Sequence, residues 1–529
     1  MALSKVGSNQ IDSAASLTVS GNVSVDGGTI KLDGNYPTGT SNVAIGDAAL
    51  DDGSLSGGYN TAAGAGALSA NTSGAQNTAV GATSSDANTT GSYNSGFGQS
   101  SLGSNTTGSS NTGLGRGALS ANTTASNNTA AGYNALAANT TGAANTTVGS
   151  LSLDANTTGD NNSAFGVNAL SSNTTADGNS AYGYQALYSN TTGANNVSMG
   201  VNSLFANTTA SNNTAVGYAA LTANTTGANN TANGALALDA NTEGSNNTAL
   251  GYASLTASTT SNNNVGIGFH SLLANTTGAQ NTAVGSQALL TCSTGYNNNA
   301  VGMNSLKVTT TGHSNNGVGY ATLVNNTTGA ANVAIGDSAL INNTTGSSNT
   351  AMGNSANNVT TTGENNTMIG TLCRASSSSV SNEVVLGSNG MVGKGGSTAF
   401  ISGGNGPVYA GNNSSNFSTT SDRRIKKNIE DNNTGLDAIS QVRVCSFEYR
   451  TADEIDELPA SAAIDKQGVQ LGVIAQEIQE ILPDMIREES TGCLSVDPEN
   501  MTWYLVNAVK ELSAKNDALE ARIATLESG

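Results

Sequence analysis

A single apolar position recurs every seventeen residues through most of the chain. Leucine stands at Leu68 and then at every seventeenth residue from Leu102 to Leu340, with Ser85 as the one interruption. Glycine keeps the same period without a break from Gly64 to Gly387, and asparagine precedes it by four residues from Asn77 to Asn366. A fixed period of this length predicts a solenoid or fibre built from stacked repeats rather than a globular enzyme. One earlier repeat, which ends at residue 46, lies one residue out of register.

The composition of one repeat predicts short β-strands broken by tight turns. A repeat offers one leucine and one apolar residue before the glycine, as in Val216 and Leu221, among Asn, Thr, Ala and Ser. Burying two such side chains yields about 1.5–3 kcal/mol each, whereas ordering each backbone residue costs about 1–2 kcal/mol. No repeat can therefore fold alone, and neighbours must stack. Because Gly and Asn are poor helix formers that tolerate positive φ at corners, we expect a parallel β-roll or β-helix.

The frequent asparagine and threonine residues admit two other interpretations. A chain rich in Gly, Asn, Ser and Thr can be a disordered low-complexity segment, and Asn-Xaa-Thr is the acceptor pattern for N-glycosylation. Strict spacing favours a third interpretation, in which Asn and Thr side chains stack as ladders inside the coils.

Composition limits the classes of function. The 529 residues are 4% aromatic and 10% charged, which favours an elongated molecule over a large globule. A net charge of −19 makes nucleic acid an improbable partner. Four scattered cysteines and two histidines predict no disulfide framework, no metal site and no cofactor. The chain shows no secretory signal and no apolar stretch of membrane-spanning length, so we expect no membrane insertion.

Changes in pattern divide the chain into five segments. Residues 1–40 alternate in short strands and are expected to attach the fibre; residues 41–387 form the repeats. Residues 388–420 lose the period and are expected to form the distal tip. Residues 421–529 hold 11 of the 17 basic and 21 of the 36 acidic residues, which indicates a second, ordinary domain over 421–500. The final segment, 501–529, reads as a helix.

That helix carries a seven-residue apolar repeat, which predicts a parallel coiled coil. Its core positions are Leu505, Val509, Leu512, Asn516, Leu519, Ile523 and Leu526. A helix that packs on its own domain is the alternative, and the heptads alone do not choose between two and three strands.

Repeats such as Asn213-Thr-Ala-Val-Gly-Tyr-Ala-Ala-Leu221 resemble the head repeats of trimeric bacterial adhesins and the shafts of bacteriophage tail fibres. Both families are homotrimers, so the resemblance implies a homotrimeric fibre. We expect trimerisation to cover the leucine row that a lone coil would leave half exposed.

The last domain closely resembles the C-terminal intramolecular chaperone of phage endosialidases and tail fibres, which is classed as a self-cleaving serine peptidase. Its motifs here are Ser421-Asp-Arg-Arg-Ile-Lys426-Lys-Asn-Ile429, Gly472-Val-Ile-Ala-Gln-Glu477, Leu482-Pro-Asp484 and Leu494-Ser-Val-Asp497. The resemblance covers 421–529. It implies a small α+β chaperone domain with Ser421 as nucleophile, Lys426 as general base and a scissile bond between Thr420 and Ser421.

The residues around this pair are consistent with those roles. A serine nucleophile needs a neighbour that takes its proton, and a lysine does so only when burial or nearby cations depress its pKa. Arg423, Arg424 and Lys427 supply such cations. Spacing alone does not bring Ser421 and Lys426 together, and a solvated basic cluster or localisation signal is the alternative.

These observations predict a bacteriophage tail fibre, made in the host cytoplasm and working in the virion. Its expected partners are two further copies, a tail or baseplate protein at the N-terminus and a host receptor, expected to be a glycan. Enzymatic activity would be limited to one autoproteolytic turnover. A polysaccharide-degrading tailspike is the alternative, although only 15 acidic residues precede 421. A trimeric surface adhesin is a third hypothesis, disfavoured by the missing signal and anchor.

Overall fold

The computed structural model describes residues 40–387, 390–402, 408–410, 422–455, 457, 464, 466–489 and 492–529. Two compact units make up the chain, one over Met1–Thr419 and one over Thr420–Gly529. Most of the predicted attachment segment and much of the predicted tip lie outside the described residues.

The first unit is a β-solenoid with one short strand in each repeat. Strands β1–β21 pair in chain order and in parallel, β22 continues the parallel stack, and β23 is antiparallel to β22. Their bounds are Val43–Ile45, Thr61–Ala63, Thr78–Val80, Ser95–Phe97, Thr112–Leu114, Thr129–Ala131, Thr146–Val148, Ser163–Phe165, Ser180–Tyr182, Val197–Met199, Thr214–Val216, Thr231–Asn233, Thr248–Leu250, Val265–Ile267, Thr282–Val284, Asn299–Val301, Asn316–Val318, Val333–Ile335, Thr350–Met352, Thr367–Ile369, Val384–Gly387, Ala399–Ser402 and Val408–Ala410.

The second unit combines short helices with two small antiparallel sheets. Strand β24 pairs with β25, and β26 pairs with β27. In chain order its elements are the 3-10 turn Arg423–Ile425, α1 Leu436–Ile439, β24 Cys445–Phe447, the 3-10 turn Ala452–Glu454, β25 Gln470–Gly472, α2 Ala475–Ile481, the 3-10 turn Pro483–Met485, β26 Ile486–Glu488, β27 Leu494–Val496 and α3 Glu499–Glu527. None of the helices among the described residues has the length and apolarity that crossing a membrane requires.

Successive repeats stack within one chain, so each repeat is one coil. Thr78 lies opposite Ser95, a shift of one period, and the same shift relates successive strands from β2 to β21. The first pair differs, because Val43 lies opposite Thr61; this confirms the predicted one-residue offset of the earliest repeat. At about 4.8 Å per coil the twenty-one coils span about 100 Å.

The leucine row forms the interior of the solenoid. Leu68 and Leu102 to Leu340 are fully buried in the single chain, and the small residue at the centre of each strand packs against them. Our expectation that a lone coil leaves this row half exposed is therefore wrong, because the coil closes around its own leucine. The leucines also adopt left-handed backbone geometry, with φ of 49° at Leu204. Such geometry costs a non-glycine residue about 1–2 kcal/mol, which the burial offsets.

The phased glycines are required by close contact between coils. Gly200 has φ of 144°, and a Cβ placed on it would lie 2.3 Å from the carbonyl oxygen of Gly217 in the next coil. Both the dihedral angle and the approach of the two backbones exclude a side chain here. The glycines from Gly64 to Gly370 meet the same constraint, which explains why the period is unbroken across them.

A first asparagine ladder joins each coil to its neighbours through the backbone. Asn94 is buried; its backbone N–H donates to Oδ1 of Asn77 at 2.9 Å, and its Nδ2 donates to the Gly108 carbonyl at 2.8 Å. The N–H of Asn111 in turn donates to Oδ1 of Asn94 at 3.0 Å. The predicted Asn ladder is thus present, and these buried side chains are not available as glycosylation acceptors.

A second ladder runs directly from side chain to side chain. Asn88 donates from Nδ2 to Oδ1 of Asn71 at 2.8 Å and to the Gly91 carbonyl at 3.0 Å, and Asn105 donates to Oδ1 of Asn88 at 2.8 Å. We call this row the turn ladder. Ser258, Cys292, Thr309 and Thr360 interrupt it.

Three of the four interruptions leave the side-chain oxygen of the preceding asparagine without its donor; the fourth, Thr309, follows Cys292, which has no such oxygen. Oδ1 of Asn241, Asn275 and Asn343 is buried with no hydrogen-bond partner within the described chain. These three asparagines are the ones whose successors in the row are Ser258, Cys292 and Thr360. Asparagine is therefore needed at this position because it can donate and accept at once.

One coil also breaks the apolar interior. Ser85 stands where the other coils from Leu68 to Leu340 have the buried leucine. The Ser85 hydroxyl oxygen is buried and has no hydrogen-bond partner among the described residues. Gly96, at the centre of the adjacent strand, provides no side chain to fill the space. The apolar interior consequently divides into one cluster that ends at Ala79 and another that begins at Leu102.

The C-terminal end of the solenoid is closed by a buried carboxylate. Glu383 occupies the next position of the first ladder, and its N–H donates to Oδ1 of Asn366 at 3.0 Å. Its Oε2 accepts from the Ser376 N–H at 2.9 Å and its Oε1 from the Gly395 N–H at 2.7 Å. Phe400 on β22 is buried against the last coil, which completes the cap.

Completing the turn ladder should stabilise the solenoid. In Cys292→Asn the new amide would donate to the orphaned Oδ1 of Asn275, and its own Oδ1 would face the hydroxyl of Thr309. Because an unsatisfied buried acceptor costs about 1–3 kcal/mol, we expect the local unfolding free energy of the flanking coils to rise by about 1 kcal/mol. Native-state hydrogen exchange measures this free energy.

Two further variants provide the comparison. Cys292→Ala removes the thiol without adding an amide and should not gain stability. Asn190→Ala removes an intact member of the ladder and should cost about 2–5 kcal/mol, because it leaves buried groups unpaired on both sides. Equal stability of Cys292→Asn and Cys292→Ala would contradict the role assigned to the ladder.

Candidate functional site

The predicted catalytic segment begins in a short, exposed turn. Asp422 precedes the 3-10 turn Arg423–Ile425, and its carboxylate accepts from the Arg424 N–H at 2.8 Å and pairs with the Arg424 guanidinium at 2.6 Å. This pairing lowers the pKa of the Asp422 carboxyl. Lys426 closes the turn, and its backbone N–H donates to the Arg423 carbonyl at 3.2 Å. All side chains from Arg423 to Lys426 are exposed.

The other two predicted site residues, Thr420 and Ser421, lie outside the described residues. The distance between the predicted nucleophile and Lys426 therefore stays a prediction. Among the described residues, the backbone is extended at both Asp422 and Lys426, on the two sides of the turn.

The segment that follows is fastened to α3 by two polar side chains. Asn507 donates from Nδ2 to the carbonyls of Asn432 at 2.7 Å and Thr434 at 3.1 Å. Glu511 accepts the N–H of Leu436 at 3.0 Å, at the start of α1. A groove of about 650 Å³ lies beside these contacts, between residues 430–433 and the exposed face of α3.

Charged residues of the recognised motifs hold this unit together. Glu477 pairs with Arg443 through two hydrogen bonds, which lower the pKa of the Glu477 carboxyl. Asp497 pairs with Arg487 at 2.6 Å across the β26–β27 hairpin. These motif carboxylates therefore tie neighbouring elements to each other.

Asp484, the acid of the Leu-Pro-Asp motif, anchors α3. It accepts hydrogen bonds from the hydroxyl of Tyr504 and, at 2.9 Å, from Nδ2 of Asn500. The hydrogen bond to Asp484 raises the pKa of Tyr504 to about 12. Tyr504 also belongs to the small apolar core with Ile478, Leu482 and Met485.

The two faces of α3 have different surroundings. Tyr504 and Ala508 are buried against the domain, whereas the predicted heptad positions are exposed in the single chain. The first turns of α3 therefore pack on their own domain, as the alternative to a coiled coil predicted. The apolar seam from Leu505 to Leu526 is exposed and has no partner within the described chain. It is therefore available to pack against helices of other copies, as a coiled coil requires.

The solenoid carries a second long apolar surface. The third residue of each strand from β3 to β20 points outward, and we call this set the strand-exit row. It contains one polar member, Asn233, and no charged residue along about 80 Å. Its members are Val80, Phe97, Leu114, Ala131, Val148, Phe165, Tyr182, Met199, Val216, Asn233, Leu250, Ile267, Val284, Val301, Val318, Ile335, Met352 and Ile369.

Cysteine and metal chemistry find little support in the geometry. Burial raises the pKa of the Cys292 thiol to about 12, so the reactive thiolate is scarce at neutral pH. All four cysteines are free thiols. Across the described ranges, His, Cys, Asp and Glu do not gather into groups of three that could hold a metal ion.

Sequence reasoning did not identify Asn507, Glu511 or Tyr504 as contact residues. Their signal was available, since residues 504, 507, 508 and 511 lie three or four apart on a helix face that adjoins the leucine seam. What could not be read from the sequence was the partner of each side chain.

One comparison with known families bears on this unit. Residues 421–487 match the model of Peptidase S74, described as the chaperone of endosialidase. The match begins at the predicted boundary and includes the first two downstream motifs, but it is shorter than the predicted resemblance over 421–529. The chain thus joins a β-solenoid of seventeen-residue repeats to a C-terminal segment that matches the chaperone-of-endosialidase family.

Proposed function

We propose that this protein is a bacteriophage tail fibre that attaches the virion to a host receptor and is assembled by its own C-terminal chaperone domain. The observation that carries the proposal is the pairing of a long β-solenoid with the chaperone match in one chain. A rigid repeat shaft places a receptor contact far from the particle, and a β-rich fibre needs a device that sets its chains in register. Residues 1–40 would attach to a tail or baseplate protein, and the fibre would be made in the host cytoplasm.

The assembled state is a parallel homotrimer in this proposal. The α3 seam supports it because parallel coiled-coil helices align their chains in register. The strand-exit row supports it independently, because an uncharged apolar surface of that length on a lone chain would be an association hazard. The leucine row does not contribute, since it is already buried.

Autocleavage between Thr420 and Ser421 is the second part of the proposal, with Ser421 as nucleophile and Lys426 as base. A lysine base must be shielded or surrounded by cations. In the single chain Lys426 is exposed, and Arg424 is already paired with Asp422. We therefore propose that neighbouring copies complete the site and that cutting follows trimerisation.

A charge placed in the α3 seam should prevent trimerisation. Leu512→Asp would bring three carboxylates together at the coiled-coil core, at a cost of several kcal/mol per buried charge. We expect mainly monomer by light scattering. Ala514→Asp, on an exposed position outside the seam, should leave the trimer intact. A monomeric wild type would contradict the assembly proposal.

Cleavage should release residues 421–529 from the assembled protein. Intact mass spectrometry of the wild type is expected to show two products, and Ser421→Ala and Lys426→Ala should remain full length. The Leu512→Asp variant should also remain uncut, because its site would be incomplete. Lys427→Ala is the matched control and should cut normally.

The outcomes separate the two halves of the proposal. A trimeric wild type that stays full length would contradict the proposed peptidase activity and would remain consistent with the proposed chaperone function. Cutting in Lys426→Ala but not in Lys427→Ala would assign the base to Lys427.

Host contact is proposed for residues 388–420, because this non-repeating segment becomes distal once the chaperone is released. Phe400 is buried in the solenoid cap, so recognition would fall to other residues of the segment. We expect that exchanging residues 403–420 for those of a related fibre, which keeps the cap, changes host range in an adsorption assay. Unchanged host range after this exchange would place the contact elsewhere.

A further inference from the structure

A second row on the solenoid surface has a different character from the strand-exit row. It consists of the residue after each phased glycine, from Ala82 to Thr371, and we call it the corner row. Its central tyrosines are prominently exposed: Tyr184 by 50%, Tyr218 by 58% and Tyr252 by 50%. Tyrosine combines a flat apolar ring with a hydroxyl, and its side chain loses little entropy on binding.

The three tyrosines alternate with smaller side chains. Val201 separates Tyr184 from Tyr218, and Ala235 separates Tyr218 from Tyr252. These three rings therefore recur every second coil, about 10 Å apart along the axis. The alternation ends after Tyr252, where Phe269 of the next coil stacks on the tyrosine ring with the centroids 5.8 Å apart. A linear, evenly spaced set of rings matches a linear, periodic ligand better than the irregular surface of a globular protein.

Assembly alone does not account for this row. An interface between parallel chains of a fibre should be apolar along most of its length, as the strand-exit row is with Asn233 as its one polar member. The corner row is polar at both ends, where Gln99, Arg116, Asp337 and Asn354 stand, and it is aromatic only in the middle. An interface between chains therefore accounts for the composition of the strand-exit row but not for that of the corner row.

We infer that Tyr184, Tyr218 and Tyr252 form a binding site for an extended, neutral polysaccharide, with each ring stacked on the face of every second sugar. Charge supports a neutral ligand: no charged residue stands in the corner row between Tyr133 and Tyr320, and the chain's net charge of −19 repels anionic polymers. The inference rests on the proposed function and names a receptor chemistry for it, on the shaft in addition to the tip.

Calorimetric titration of the purified wild-type fibre in its assembled form tests the site with three probes. Cellohexaose, whose β-1,4 backbone is extended, should bind. Cellobiose should bind at least tenfold more weakly, because it reaches only one ring, and the curved chain of maltohexaose should also bind more weakly. The variant Y184A/Y218A/Y252A should lose at least tenfold in cellohexaose affinity. Y59A/Y93A, which removes equally exposed tyrosines from another row, should bind as the wild type does.

Oligomeric state decides between a glycan site and an interface. The inference holds if the triple variant stays trimeric and loses the sugar. It is overturned if the wild type does not bind cellohexaose, if the triple variant binds it unchanged, or if the triple variant no longer assembles, which would make the row an interface between copies. Adsorption of the wild-type fibre to host cells is measured separately. If the fibre adsorbs to cells but does not bind cellohexaose, the sugar site is wrong and the proposed attachment function still holds.

Discussion

Hydrogen bonds that run along the axis determine everything else in the solenoid. Each coil has too little apolar surface to fold, so its stability comes from the coil on either side. Asparagine suits this arrangement because one side chain donates and accepts, which lets identical residues satisfy one another in a column. Asn88 shows the full set, with both amide hydrogens and the carbonyl oxygen engaged. Replacement by Ser, Cys or Thr leaves the neighbouring oxygen unpaired, as at Asn275.

Periodicity made much of this fold predictable, since the stacked β coils, the Asn ladder and the offset first repeat all follow from spacing. Spacing left open whether coils stack within one chain or interleave between three chains, and the register within the chain answers that question. Backbone geometry was less accessible. Positive φ was expected at Gly and Asn, yet Leu204 also adopts it, because the coil turns inward at that residue and the buried side chain offsets the strain. The same inward turn explains why the leucine row needs no second chain, and why the strand-exit row is the better candidate for the surface between chains.

The C-terminal unit was predictable by motif but not by contact. Glu477 and Asp484 could be recognised from their sequence context, whereas their partners Arg443 and Tyr504 depend on how helices and hairpins meet. The catalytic prediction depends on quaternary structure, because the proposal assigns part of the site to neighbouring copies. Lys426 is exposed among the described residues of one chain, and a proton-accepting lysine needs shielding, so the proposed chemistry requires surroundings beyond those that the described residues supply.

The buried carboxylate at Glu383 has a consequence for the size of the molecule. Interchangeable coils contain no internal reason to stop, and an open end of the stack would offer unpaired backbone groups to any similar chain. Where the Asn366 amide donates to the carbonyl of Val380, the Glu383 side chain accepts the backbone N–H groups of Ser376 and Gly395. Because the cap meets the stack through the asparagine that ends the first ladder, and every earlier coil from Asn77 onward presents the same asparagine, this cap would fit a stack with a different number of coils. The number of repeats in the gene then sets the length of the solenoid, in steps of about 4.8 Å per repeat.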